Sequence, residues 1–139
     1  MRVGSGTWWC TSGASRVAEE IFELTKGFPR EEMYSLTDQI RRASRSIGAQ
    51  IAEAWAKRRY QRYFVAKLTD AIAEELETQH WVLVAATCGY LRREQASALL
   101  DELDEVGRML RSMIDKADLF CAKGEIREET AMFYAPTYY

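Results

Sequence analysis

One short motif has the spacing of a metal-binding helix. Glu77-Thr78-Gln79-His80 places a carboxylate and an imidazole three residues apart, as in di-metal helical bundles. Such a site needs two of these motifs and two further carboxylates, and the chain has a single histidine. The motif therefore reads as a helix-surface or interface feature, and no metal or other cofactor is expected. His80 alone leaves no Ser-His-Asp relay to assemble, so no residue is nominated as catalytic and the chain reads as no enzyme. No glycine-rich phosphate loop is present. Glu74/Glu75 and Asp101/Glu102/Asp104/Glu105 read as solvated faces of amphipathic helices. Cys10, Cys88 and Cys121 are widely spaced and odd in number, which argues against a zinc framework and fits free thiols in a reducing cytoplasm. Cys88 and Cys121 lie in apolar helical surroundings and are expected to be buried.

Charge distribution offers a second kind of chemistry. The whole chain carries a net charge of -2, so no overall basic excess announces nucleic acid. Residues 30–67 nevertheless hold nine Lys and Arg against four Asp and Glu, while residues 68–139 hold seven against fourteen. The first 29 residues balance, three against three. Within the basic segment, Arg41, Arg42 and Arg45 fall opposite an apolar stripe. Lys57, Arg58, Arg59 and Arg62 cluster with Trp55, Tyr60, Tyr63 and Phe64. Guanidinium groups suit phosphates and aromatic faces accept bases, so these seven cations are candidates for nucleic-acid binding. The alternative is a solvated basic corner that pairs with acidic helices of a neighbouring subunit. Gly48, Ala49, Ala52 and Ala56 form a strip of small residues away from the apolar stripe, a candidate subunit interface because small side chains let helices approach closely. Exposed alanines also simply favour helix.

The elements that must position these residues are helical. The 139 residues amount to one domain, and two prolines and eight glycines leave few breaks. Val17, Ile21 and Leu24 predict a first helix over 14–26, stopped by Gly27 and Pro29. Leu36, Ile40, Ala43, Ile47, Ile51 and Ala54 predict a second from Arg30 or Leu36 to Lys57, with Thr37 or Ser35 capping its regular part after a short turn over 30–34. A third is expected over 61–87, with Phe64, Leu68, Ala71, Ile72, Leu76, Leu83 and Ala86 inward and Gly89 as its C-terminal glycine. The fourth, over 92–122, has a heptad seam of Ala96, Leu99, Leu103, Val106, Leu110, Met113, Ala117 and Phe120. Short links make this an all-α, up-down-up-down antiparallel four-helix bundle over residues 14–122. Residues 1–13 read as a loose lead-in rather than a secretory signal. Residues 123–139 read as a tail with Phe133, Tyr134, Tyr138 and Tyr139. No apolar run approaches the length of a membrane span.

The order Glu23-Leu24-Thr25-Lys26-Gly27-Phe28-Pro29, then Glu31-Glu32-Met33-Tyr34-Ser35-Leu36-Thr37-Asp38-Gln39-Ile40-Arg41-Arg42-Ala43, Ser46-Ile47-Gly48-Ala49-Gln50-Ile51-Ala52-Glu53 and Gly89-Tyr90-Leu91 resembles a known family. It is similar to the bacterial four-helix-bundle proteins of 23S ribosomal RNA intervening sequences, which include the accessory variability determinant proteins of diversity-generating retroelements. The chain departs from the family pattern at Gly48, where Pro is usual, and at Ala54-Trp55-Ala56, where Gly-x-Gly is usual. The resemblance implies a ring-like homopentamer and, in the retroelement branch, RNA and a reverse transcriptase as partners. Two function classes follow: a non-enzymatic homo-oligomeric scaffold for RNA or a ribonucleoprotein partner, and a protein-interaction module with no nucleic-acid role.

Overall fold

In the computed structural model, which describes residues 5–121, the apolar stripes become four long helices: α1 (Ser5–Thr25), α2 (Leu36–Ala56), α3 (Gln61–Thr87) and α4 (Arg93–Asp115). A short helix, α5 (Ala117–Phe120), follows α4. Each long helix packs on its sequence neighbours, and α1 closes against α4, so the four make the expected antiparallel square. Among the described residues no helix is long and apolar enough to cross a membrane. The aromatic tail lies outside the described residues, as do residues 1–4.

α1 starts nine residues earlier than its apolar pattern suggests, so residues 5–13 are helix rather than a loose lead-in. The extension is anchored where Cys10 and Ala14 continue the buried stripe of Val17 and Ile21. Gly13 sits against α4, where a β-carbon would make an ordinary contact with Val106 Cγ2 at 3.4 Å. The stripe of α2 is buried throughout, from Leu36 to Ala54. Its N-terminus is capped differently from expectation. Neither Ser35 nor Thr37 caps it through a side chain. The Glu32 carboxylate, reaching back from a 3-10 turn at Arg30–Glu32, accepts the Leu36 N–H at 3.1 Å. α3 ends as its glycine demands. Gly89 has φ 79, and the Tyr90 and Gly89 N–H groups donate to Ala85 and Ala86 carbonyls at 2.9 and 3.0 Å. This puts Cys88 at the exposed helix end rather than in the core. Cys10 and Cys121 are the buried thiols. The fourth helix breaks at Lys116, where φ -107 and ψ 25 interrupt it before α5.

The inward face of α3 is the main correction. Phe64, Leu68 and Ala71 are buried as expected, but Leu76 and Leu83 remain 49% and 53% exposed. The buried heptad continues instead through Glu75, Thr78, Val82 and Ala85. Two heptad seams run side by side on α3, one residue out of phase. Phe64 and Leu68 fix the rotation at one end, Val82 and Ala85 at the other. Glu75 and Thr78 are carried inside between them. Thr78 is satisfied by donating to the Glu74 carbonyl at 2.8 Å.

Candidate nucleic-acid interface

The turn between α2 and α3 contains neither Gly nor Pro, and side chains hold it. The Lys57 N–H closes the last turn of α2 on the Glu53 and Ala54 carbonyls, both at 3.1 Å, and the Tyr60 N–H donates to the Lys57 carbonyl at 3.1 Å. Tyr60 is extended (φ -114, ψ 110), which starts α3 in a new direction. Arg58 adds a cap: its Nη1 donates to the Trp55 carbonyl at 2.9 Å, where a cation also meets the negative end of the helix dipole. Below the turn, Lys67 clamps the two helices, donating to Gln50 at 3.2 Å and pairing with Glu53 at 2.6 Å.

The same turn displays aromatic and cationic groups together. The Arg58 guanidinium lies 4.2 Å from the centre of the Trp55 ring. That of Arg62 lies 5.1 Å from the Tyr63 ring and donates to the Tyr63 hydroxyl at 3.2 Å. Tyr60 and Tyr63 meet edge to face at 5.7 Å and are 48% and 45% exposed. Lys57 and Arg59 are half-buried beside them. Each guanidinium is held over its aromatic neighbour, and exposed tyrosine faces remain for a base.

The other three candidate cations form a separate cluster. Arg45 and Lys57 are twelve residues apart, about 18 Å along a helix. Arg41 is held against α1, its Nε donating to Thr25 Oγ1 at 2.8 Å. The Arg41 and Arg45 guanidiniums and Lys26 Nζ sit 4.6, 5.2 and 5.0 Å from the Phe22 ring. Arg42 pairs weakly with Asp38 at 3.5 Å on the exposed face. Arg45 and Phe22 border a groove of about 510 Å³ between α1 and α2 that Glu19 and Glu23 also line. Those carboxylates oppose an anion there, so the α2–α3 turn is the better phosphate surface.

Ala49, Ala52 and Ala56 are exposed on the outward side of α2, with Gly48 half-buried beside them. A β-carbon at Gly48 would meet nothing within 4 Å, so this glycine is not required by packing within the subunit. His80 is exposed, edge to face with Trp81 at 4.8 Å, and Glu77 accepts from Trp81 Nε1 at 3.2 Å. Among the described residues no three His, Cys, Asp or Glu side chains gather as metal ligands would.

A family model described as 23S rRNA-intervening sequence protein matches residues 10–112. The chain belongs to this family. A crystal structure from Bacteroides thetaiotaomicron, described as a protein of unknown function from the S23 ribosomal protein family, is similar over 79% of this chain and 98% of that one. The identity is 28% and the TM-score 0.72. No curated protein matches the chain significantly. The family match spans α1 to nearly the end of α4, so it takes in both cation clusters and the small-residue strip.

Glu75, read from the sequence with Glu74 as part of a solvated face, lies inside the bundle instead, because the rotation of α3 set by Phe64 and Val82 carries it there. It is fully buried, its Oε1 accepts from Gln79 Nε2, and its Oε2 has no partner. Burial pushes its carboxyl up, against the pull of Gln79 and Arg111. Gly107 of α4 faces it. A β-carbon there would lie 3.0 Å from Glu75 Oε2.

Proposed function

We propose that this member of the 23S rRNA-intervening sequence family is a non-enzymatic, homo-oligomeric helical scaffold that binds RNA, alone or within a ribonucleoprotein partner such as a reverse transcriptase. The observation that carries the reading is the α2–α3 turn, where Arg58 and Arg62 stack on Trp55 and Tyr63 beside exposed Tyr60. Stacked guanidiniums and free aromatic faces suit unpaired nucleotides, which need phosphate neutralisation and a stacking platform together. The family resemblance supports assembly as a homopentamer. A ring repeats the turn in every subunit, so modest binding at each copy sums on a single RNA despite a net charge of -2 per chain.

The test uses a fluorescein-labelled RNA hairpin with a single-stranded loop, followed by anisotropy at low salt. The native chain is expected to bind. The triple variant Arg58→Glu, Arg59→Glu, Arg62→Glu is expected to lose binding while keeping its helical circular dichroism and its mass by light scattering. Absence of binding by the native chain, or equal binding by a folded triple variant, overturns the RNA reading.

A further inference from the structure

Cys121, where residues 122–139 join the bundle, lies beside the α2–α3 turn. Phe120 of α5 stacks on Phe64 at 6.0 Å, and the Phe64 N–H donates to the Tyr60 carbonyl at 3.0 Å. Burial pushes the Cys121 thiol up, and the nearby Arg58 guanidinium pulls against it. Leu119 is 70% exposed and Tyr60 and Tyr63 about half exposed, so apolar surface is left uncovered at this end of the bundle.

Residues 122–139 carry the chemistry that matches this surface. Glu125, Glu128 and Glu129 outnumber Lys123 and Arg127. Four of the seven residues over 133–139 are aromatic, in a chain that is 12% aromatic. Carboxylates pair with guanidiniums, and aromatic rings meet exposed tyrosines and stacked arginines as bases would. The order fits as well: the glutamates come four to eight residues after Cys121, close to Arg58, and the aromatic group follows. Phe133 is twelve residues from Cys121. A chain of that length averages about 20 Å end to end as a coil and reaches about 40 Å when extended, so the turn is within range. The exposed Leu76 and Leu83 are a poorer match. They lie about 18 Å or more beyond Phe64 along α3, which has no Lys or Arg after Lys67 to meet the glutamates.

We infer that residues 122–139 fold back on the α2–α3 turn of their own subunit, with glutamates on Arg58 and Arg62 and aromatic rings on Tyr60 and Tyr63, and so compete with RNA for it. The tether gives the segment an effective concentration of about 1 mM, so a contact with a dissociation constant of that size is half formed. RNA then binds by displacing the segment. The competition rests on the RNA reading above, whereas the contact itself does not.

Chymotrypsin digestion of the full chain, with cleavage after Phe133 and Tyr134 followed by mass spectrometry, reads the contact without RNA, because only the released segment is cut. Arg58→Glu/Arg62→Glu and, separately, Tyr60→Ser/Tyr63→Ser should speed these cuts about twofold or more while keeping native circular dichroism. Adding Glu125→Lys/Glu128→Lys/Glu129→Lys to the arginine variant should restore slow cleavage, which mere loosening of the turn does not allow. In the hairpin assay, Phe133→Ser/Tyr134→Ser/Tyr138→Ser/Tyr139→Ser should bind RNA about 2–10-fold more tightly than the native chain. Cleavage equally fast in the native chain and the folded variants, or no rescue by the charge swap, overturns the contact. Equal or weaker RNA binding by the serine variant overturns the competition. Faster cleavage of the turn variants with no RNA bound by any chain keeps the contact and removes the RNA reading.

Discussion

Replacing Glu75 by Gln should stabilise the protein at neutral pH. The carboxylate is fully buried on α3, with Oε1 bonded to Gln79 and Oε2 unpartnered. Arg111 Nη1 and Glu75 Oε2 each lie 3.0 Å from the point where a Gly107 β-carbon would stand. The guanidinium attracts the carboxylate from there but forms no ion pair with it. Burial therefore dominates and raises the carboxyl, with Asp104 adding to the rise. A carboxyl raised on folding is stabilising only when protonated. Its ionised form lowers stability as pH climbs from the ordinary value of 4.5 through the folded value. Gln keeps the shape and replaces a buried charge by a neutral amide, so about 1–2 kcal/mol is expected at pH 7.5, the excess cost of an unsatisfied charged group over a neutral one. For a chain this long that is a melting-point rise of about 3–8 °C. Circular-dichroism melts at pH 7.5 and pH 4 provide the assay, with the gain shrinking at the lower pH. A Gln variant that melts lower than the native chain at pH 7.5 refutes the reasoning, because it makes Arg111 an effective partner for a stabilising buried charge.

Gly107→Ala should lose about 1 kcal/mol in the same melts, although Ala favours helix by about 1 kcal/mol, because a β-carbon 3.0 Å from Glu75 Oε2 obliges a buried carboxylate, held at Oε1 by Gln79, to shift. Phe64→Ala should cost about 3–5 kcal/mol, since this fully buried ring also stacks on Phe120 at 6.0 Å and joins α5 to the core. Thiol titration at pH 8 should find one fast-reacting cysteine per chain, Cys88, and all three in denaturant. Cys10 is buried with its thiol pushed up to about 11, and Cys121 is buried too.

The sequence made α2 and α4 legible because each has a single apolar stripe bounded by charge. Leu36 to Ala54 and Ala96 to Met113 are buried where their spacing put them. α3 was harder, because two adjacent heptads compete and the one rich in leucine is not the one inside. Only tertiary packing, which sets the rotation from Phe64 and Val82, chooses between them. That choice leaves Leu76 and Leu83 about half exposed. The start of α1 was hidden by Gly6 and Gly13, whose low helix propensity is outweighed by burial of Cys10 and Ala14 against neighbouring helices. The basic residues and their two groups were found in the sequence, but the partners of the first group were not. Arg41 reaches a threonine sixteen positions away, a contact that spacing along one helix does not reveal.

Salt dependence of RNA binding at the α2–α3 turn tests the central claim most directly. Phosphate contacts release counterions, so the logarithm of the affinity should fall linearly with the logarithm of salt, by about 0.7 per contact for a single strand. Titrations of the RNA hairpin between 50 and 200 mM salt (about the physiological range) should give a steep negative slope for the native chain. Arg62→Gln should flatten that slope by about one contact for each subunit engaged. An affinity indifferent to salt, or a slope unchanged by Arg62→Gln, contradicts phosphate recognition at this turn.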